Sequence, residues 1–217
     1  MYKPYKLVIC KNNENADIFV YNQGNLVEQY QEQFDNKRLE GNIYYGKVTN
    51  VVKGMQSAFI NIGTDKNAFI HIHDILPKDE NLAENEAKYN ISKIIKQEEN
   101  IIVQIKRDCN NNKGPRVTKD IKLVGKYVIL MPFSTFITVS KKIIDKDERK
   151  RLITIITTYM NKNKKVYGAI ARTSAKGQAE ELIEKDLSDL IDKWNNILKK
   201  AKNANPPVEL YNNNGII

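Results

Sequence analysis

Cysteine, histidine and tryptophan are scarce in this chain: 217 residues carry two, two and one of them. Cys10 and Cys109 stand far apart, with no C-x-x-C pair and no histidine spaced to share a zinc ion with them. That usage points to a reducing, cytoplasmic setting and to no structural metal. No run of about 18 apolar residues exists, so no helix is expected to span a membrane, and a membrane is not expected as partner. The N-terminal stretch MYKPYKLVICKNN has neither a long apolar core nor a small-residue cleavage site, which excludes a secretory signal. No Ser-His-Asp set, no paired carboxylates in a pocket context and no metal cluster can be assembled. Lys176-Gly177 stands in the wrong order for the phosphate-cradling G-x-x-x-x-G-K-[ST] loop. No catalytic residue, metal ligand or cofactor is therefore assigned to this chain.

Acidic residues are also in deficit. Lys and Arg number 35 against 26 Asp and Glu, a formal net charge of +9. An acidic partner follows: nucleic acid is the commonest and an anionic membrane surface the second, and of the two nucleic acid is the one expected here. Lys and Asn dominate the polar positions, so an AT-rich genome is an alternative source of the excess.

What is present reads first as strands. Lys6–Cys10 and Ala16–Tyr21 precede a hairpin turn at Asn22-Gln23-Gly24-Asn25, and Leu26-Val27-Glu28 follows it. A β-rich block runs from about 41 to 119, with strands at Ile43–Val52, around the hairpin 56–75 and at Ile101–Arg107. It contains a polar insertion at roughly 77–99, with a helical turn at Ile91–Ile95. Four to five short strands with one longer insertion fit a small closed barrel of oligonucleotide-binding type. Beyond it come strands at Val124–Met131, Ile137–Val139 and Tyr167–Ala171, and a helix over Asp147–Met160. A second helix spans about 178–201, where Ala179, Leu182, Ile183, Leu187, Leu190, Ile191, Trp194, Ile197, Leu198 and Ala201 form an apolar stripe that reads as core packing. The fold class expected is α+β.

The hairpin QSAFINIGTDKNAFIHIHDI poses the functional question. Ala58, Ile60 and Ile62 share one face of its first strand, and Ala68, Ile70 and Ile72 one face of its second. The opposite faces, expected to be wet, carry Phe59, Phe69, His71 and His73. Exposed aromatics on a barrel are platforms for unpaired bases. The alternative is that the insertion or a neighbouring domain covers these rings. Lys106, Arg107, Lys113, Arg116 and Lys119 surround the turn at 110–115, where phosphates of a single strand would be held; for any one of them a solvated surface charge is the alternative. In ARTSAKG, Arg172 and Thr173 sit where a strand ends and a helix soon begins. A guanidinium fork, a hydroxyl and backbone N–H groups converge there, a recipe for a terminal phosphate, unless Arg172 only caps a neighbouring element. Lys141-Lys142 is a further basic pair, and the charges at 147–151 read as a solvated helix start.

These stretches carry a resemblance. GNIYYGKVTNVVKGMQSAFINIGTDKNAFIHIHDILP resembles the S1 motif as it occurs in the ribonuclease E/G family. VQIKRDCNNNKGPRVTKDIKLVGKYVILMP is similar to that family's segment leaving the barrel, and YGAIARTSAKGQAEELIEKDLSDLIDKWNNI to its strand-loop-helix that binds the RNA 5′ end. The resemblance implies a five-stranded S1 barrel of oligonucleotide-binding type, residues 39–119, inserted into a ribonuclease-H-like α/β domain made of 1–38 and 120–217. It implies stacking by Phe59 and Phe69, RNA contacts by His71 and Lys113, and guidance by Lys141-Lys142. It also implies a 5′-monophosphate sensor of Arg172 and Thr173, with Gly125 and Ile129 as its backbone side. The family's nuclease domain, with its magnesium-binding aspartate pair and zinc link, has no counterpart here, and the closing PPVELYNNNGII looks like a chain cut short of it. The reading is thus the RNA-binding and 5′-monophosphate-sensing portion of an endoribonuclease, acting on single-stranded RNA, expected inactive alone. The alternative is a free-standing single-stranded RNA-binding module.

Overall fold

A computed structural model describes residues 5–11, 15–33, 39–76, 90–108 and 113–213. Most of the expected polar insertion (77–89) and the asparagine turn at 110–112 lie outside the described residues. The chain forms two compact units, Met1–Arg38 and Leu39–Ile217.

In the first unit, strands β1 (Tyr5–Lys11), β2 (Asn15–Asn22) and β3 (Asn25–Gln33) make an antiparallel meander. Gln23 and Gly24 turn the second hairpin with φ of 53° and 85°, both left-handed. Paired positive φ values match the twist of the flanking strands, which is why a Gly-Asn context sits there.

The second unit contains a closed mixed barrel. Strands β4 (Ile43–Val52), β5 (Ser57–Asn61), β6 (Ala68–His71), β7 (Asn100–Arg107) and β8 (Arg116–Thr118) pair in the order β4-β5-β6-β8-β7, and β7 returns to β4. Only β6 and β8 run parallel. Closure leaves none of the five with an edge along its whole length. The inward face follows the period-two pattern: Ala58, Ile60, Ile62, Ala68, Ile70, Ile72, Val103 and Val117 are all buried. The short helix α1 (Ile91–Ile94) seals this core with Ile91; Asn90 caps it by accepting from Ser92 N–H.

Next comes a four-stranded sheet of β9 (Leu123–Val124), β10 (Val128–Met131), β11 (Ile137–Val139) and β12 (Gly168–Ala171), ordered β11-β12-β10-β9. Helix α2 (Lys146–Lys162) packs on β11 and β12, and α3 (Glu180–Asn203) on β9 and β10. The stripe of α3 is buried from Ile183 through Trp194 to Ile197, but Leu182 and Leu198, expected in the core, are exposed at its margin. The expected single strand Val124–Met131 is instead a tight hairpin. It breaks at Gly125-Lys126-Tyr127, for a reason given below.

A final strand, β13 (Val208–Tyr211), leaves α3 and pairs with β4, Val208 opposite Tyr45. This stitches barrel and sheet layers together. Strand β4 serves both cores: Ile43 lies in the α/β core and Tyr44 in the barrel core. Glu209 of β13 accepts from Tyr44 Oη at 2.8 Å and from Asn42 Nδ2 at 3.2 Å. Buried Gln104 of β7 donates to the carbonyls of Gly41 and Lys122 and accepts from Lys122 N–H. Gly46 lets β4 bend over the barrel: a Cβ there would stand 2.7 Å from Ile60 Cγ2 and 2.8 Å from Asn61 O. Gly46→Ala should therefore lower stability by about 1–3 kcal/mol, read as a lower urea midpoint, because the obstructing oxygen is backbone and cannot move aside.

Candidate nucleic-acid interface

The outer face of the barrel carries one row of side chains. Strand pairing places Phe59 opposite Phe69, and Phe69 beside Arg116. Asn50 and Arg107 extend the row on β4 and β7. Both phenylalanines are half-buried, and their rings meet edge to face at 5.9 Å and 64°. An edge-to-face pair leaves part of each ring face open to a third flat partner. His71 lies two pairs further along, opposite Ser57, and stacks on His73 at 4.6 Å. The segment 113–116 runs against the hairpin tip. Phe69 N–H donates to Pro115 O at 2.8 Å, and a Cβ on Gly114 would lie 2.0 Å from Asn67 O. Lys113 is exposed at the start of this segment.

Lys106 and Arg116 are not bare charges. Both reach Asp74, a residue that the sequence reading passed over, whose side chain is 2% exposed. Lys106 Nζ donates to Oδ1 at 2.7 Å, and Arg116 Nε to Oδ2 at 2.7 Å. The main chain of Asp74 also accepts from Thr118 Oγ1 and Lys119 N–H. Burial pushes the Asp74 carboxyl up, but the hydrogen bonds and charges of Lys106 and Arg116 outweigh it and hold it below the usual range. The triad carries one net positive charge, fixed beside Phe69. Its signal in the sequence was an acid lodged among isoleucines in HIHDIL.

The second constellation lies where β11 and β12 end. Arg172 follows β12 and donates from Nη1 to the carbonyls of Gly125 and Lys126. Its N–H donates to Tyr127 O. The other guanidinium N–H groups have no partner among the described residues. Thr173 is exposed, its Oγ1 3.2 Å from Ser140 Oγ. Ser140 leads into exposed Lys141 and Lys142, which brings that basic pair to the same loop. Gly125 and Ile129 lie in the β9–β10 hairpin, Ile129 half-buried and paired with Val124 and Ile170. Gly125 N–H donates to Val128 O, closing the hairpin.

The loop is anchored to α2 as well. Glu148 takes a two-pronged bond from Arg151, at 2.8 Å on each oxygen, and accepts from Gly177 N–H at 2.8 Å. The Arg151 bonds, with help from Gly177, hold its carboxyl down to about 2. The charges at 147–151, expected to be a solvated helix face, thus include one structural pair. No group of three His, Cys, Asp or Glu is placed to hold a metal ion among the described residues. No helix of the described residues is long and apolar enough to cross a membrane.

A closed five-stranded barrel is the architecture of the oligonucleotide-binding class, and the S1 RNA binding domain model matches residues 38–106. The Ribonuclease E/G family model matches residues 122–217. Ribonuclease G of Salmonella typhimurium is 35% identical over 192 residues, 87% of this chain and 39% of that protein. A ribonuclease E/G-like protein of Pyropia yezoensis is 39% identical over 81% of this chain and 33% of its own length. Ribonuclease E of a Nostoc species is 30% identical over 99% of this chain and 30% of its own length. The chain belongs to the ribonuclease E/G family, and it spans between 30% and 39% of the length of these relatives.

Two outcomes follow from the carboxylates. Asp74→Asn should lower stability by about 1.5–3 kcal/mol in urea titration, the size of a lost charge-assisted hydrogen bond, because Lys106 and Arg116 can turn to water but the buried amide cannot satisfy both. The Glu148 carboxyl is held down to about 2 in the folded chain, against an ordinary value of 4.5. Its carboxylate therefore stabilises fully above the higher value, and that contribution drains away as pH falls toward the lower one. The stability gap between the parent and Glu148→Gln, measured at successive pH values, should close across that window.

Proposed function

We propose that this chain is the RNA-binding and 5′-end-sensing portion of a ribonuclease E/G-type endoribonuclease of RNA processing and decay. The observation that carries the RNA reading is the Phe59–Phe69–Arg116 row. Unpaired bases stack on the rings, and the cation beside them takes the phosphate of the same strand. A duplex has no free base faces to offer, so the ligand is single-stranded. Lys113 and Arg107 extend the positive track without an acidic partner among the described residues.

The 5′ end belongs to the second constellation. Arg172 keeps part of its guanidinium for a ligand, and the next residue, Thr173, brings its hydroxyl to 3.2 Å from that of Ser140. A 5′-monophosphate offers oxygens that a 5′-hydroxyl lacks, and a guanidinium is the side chain shaped to take them. Lys141 and Lys142 add attraction without geometry. Magnesium-assisted cleavage needs carboxylates converging on one ion, and that chemistry is assigned to a part of the whole enzyme other than this chain.

Fluorescence anisotropy with single-stranded oligonucleotides at fixed salt tests both halves. Phe59→Ala and Phe69→Ala should each weaken binding by about 1–3 kcal/mol without unfolding the chain. Unchanged affinity in both rejects the stacking platform. A 5′-monophosphorylated oligonucleotide should bind more tightly than its 5′-hydroxyl twin, and Arg172→Ala should erase that difference while lowering affinity for the 5′-hydroxyl form little. Equal binding of the twins by the parent chain removes the sensor. RNA incubated with the chain and magnesium should stay intact; internal cleavage abolished by changing one of its own carboxylates overturns the assignment of chemistry elsewhere.

A further inference from the structure

The β9–β10 turn has every backbone group accounted for. The N–H of Gly125 goes to Val128 O. Those of Lys126, Tyr127 and Val128 all go to one carboxylate, Asp186 of α3, at 3.1, 2.8 and 2.8 Å. On the other side, the Gly125 carbonyl accepts from Arg172 Nη1, and the Lys126 carbonyl from Arg172 Nη1 and Ser174 Oγ. The Tyr127 carbonyl accepts from Arg172 N–H. None of these peptide groups is left to meet a ligand directly. The turn is a relay between one acid and one arginine.

Gly125 fits that relay rather than a phosphate. A Cβ at this position would stand 2.5 and 2.6 Å from the two Asp186 oxygens. Any side chain there expels the carboxylate from its seat over the three N–H groups. The carboxylate in turn polarises the peptides it binds, which makes the carbonyls they carry stronger acceptors for Arg172. Asp186 occupies the stripe side of α3, three residues after buried Ile183 and four before buried Leu190. There its half-exposed carboxylate is held by the three N–H groups of the turn.

We propose that Asp186 is the positioning residue of the 5′-phosphate site: by holding the Gly125–Val128 turn, it sets the guanidinium of Arg172 and so the preference for a 5′-monophosphate. It does not touch the RNA. The inference rests on the 5′-end reading above.

The test uses the full chain and two oligonucleotides that differ only in a 5′-monophosphate or 5′-hydroxyl. Asp186→Ala should cut the ratio of their affinities by about tenfold, the size of one charge-assisted bond, and leave 5′-hydroxyl binding nearly unchanged. Asp186→Asn, which keeps the size and one acceptor oxygen, should retain part of the ratio. It also decides the matter if Asp186→Ala fails to fold. Gly125→Ala should cut the ratio in the parent and add little once Asp186 is alanine, because the collision is then gone. Amide exchange should be slow at Lys126, Tyr127 and Val128 in the parent and fast in Asp186→Ala. A parent without preference sinks the 5′-end reading and this inference together. A parent with preference, retained in full by a folded Asp186 variant, sinks this inference alone. So does a Gly125→Ala effect that is the same with and without Asp186.

Discussion

A buried carboxylate organises the face of the barrel. Asp74 lies at the end of β6, where the chain turns away, and it draws β7 and β8 to that point through Lys106 and Arg116. Without it, two cations and an aromatic pair would share one surface with nothing to fix their spacing. Long basic side chains have many rotamers, and freezing them at the moment of binding costs free energy. Asp74 takes that cost during folding. It also cancels one of the two charges, so the face trades attraction at a distance for a cation in a set place. The exposed Lys113 and Arg107 supply the attraction instead.

The same device recurs at the loop of the second layer, in a less direct form. There the acid, Asp186, and the arginine, Arg172, are separated by a turn of backbone, and the peptides transmit the constraint. Glu148 repeats it a third time, with Arg151 and the N–H of Gly177. Three acids thus each spend their charge on holding a loop. This bears on how the net charge of +9 should be understood. Each acid still cancels one positive charge where it sits, so the excess toward a ligand is carried by cations outside these pairs, such as the exposed Lys113, Lys141 and Lys142.

The sequence was legible where periodicity speaks. The strict alternation of 57–62 and 68–72 identified the barrel hairpin and its wet face, and the stripe of α3 identified a buried helix. Three features were not legible, each because a tertiary contact decides it. Val124–Met131 reads as one apolar strand, yet it breaks at Gly125 because an acid from a helix 60 residues away caps three successive N–H groups. Residues 113–119 read as a basic loop, yet Arg116–Thr118 becomes β8, since only a strand there can satisfy both β6 and β7. The site residues nominated from the sequence were those with reactive or exposed chemistry. The acids that position them look like ordinary polar residues until their partners are known.

Strand β4 decides how the two constellations can cooperate. Its first residues hand Ile43 to one core and Tyr44 to the other, and its free edge is taken partly by β5 and partly by β13. A hinge between barrel and sheet layers would have to break this shared strand, the Glu209 bonds and the Gln104 bridge at once. Joined recognition sites gain from each other in proportion to how little freedom lies between them. A flexible tether would dilute that gain, because each binding step would still have to order the tether. Here the ordering is part of the fold, so a single strand that engages both places, as proposed above, would meet the second with its orientation already set. On the proposed reading, the length of RNA that first shows a 5′-phosphate effect would reflect the frame built on β4 as well as the RNA.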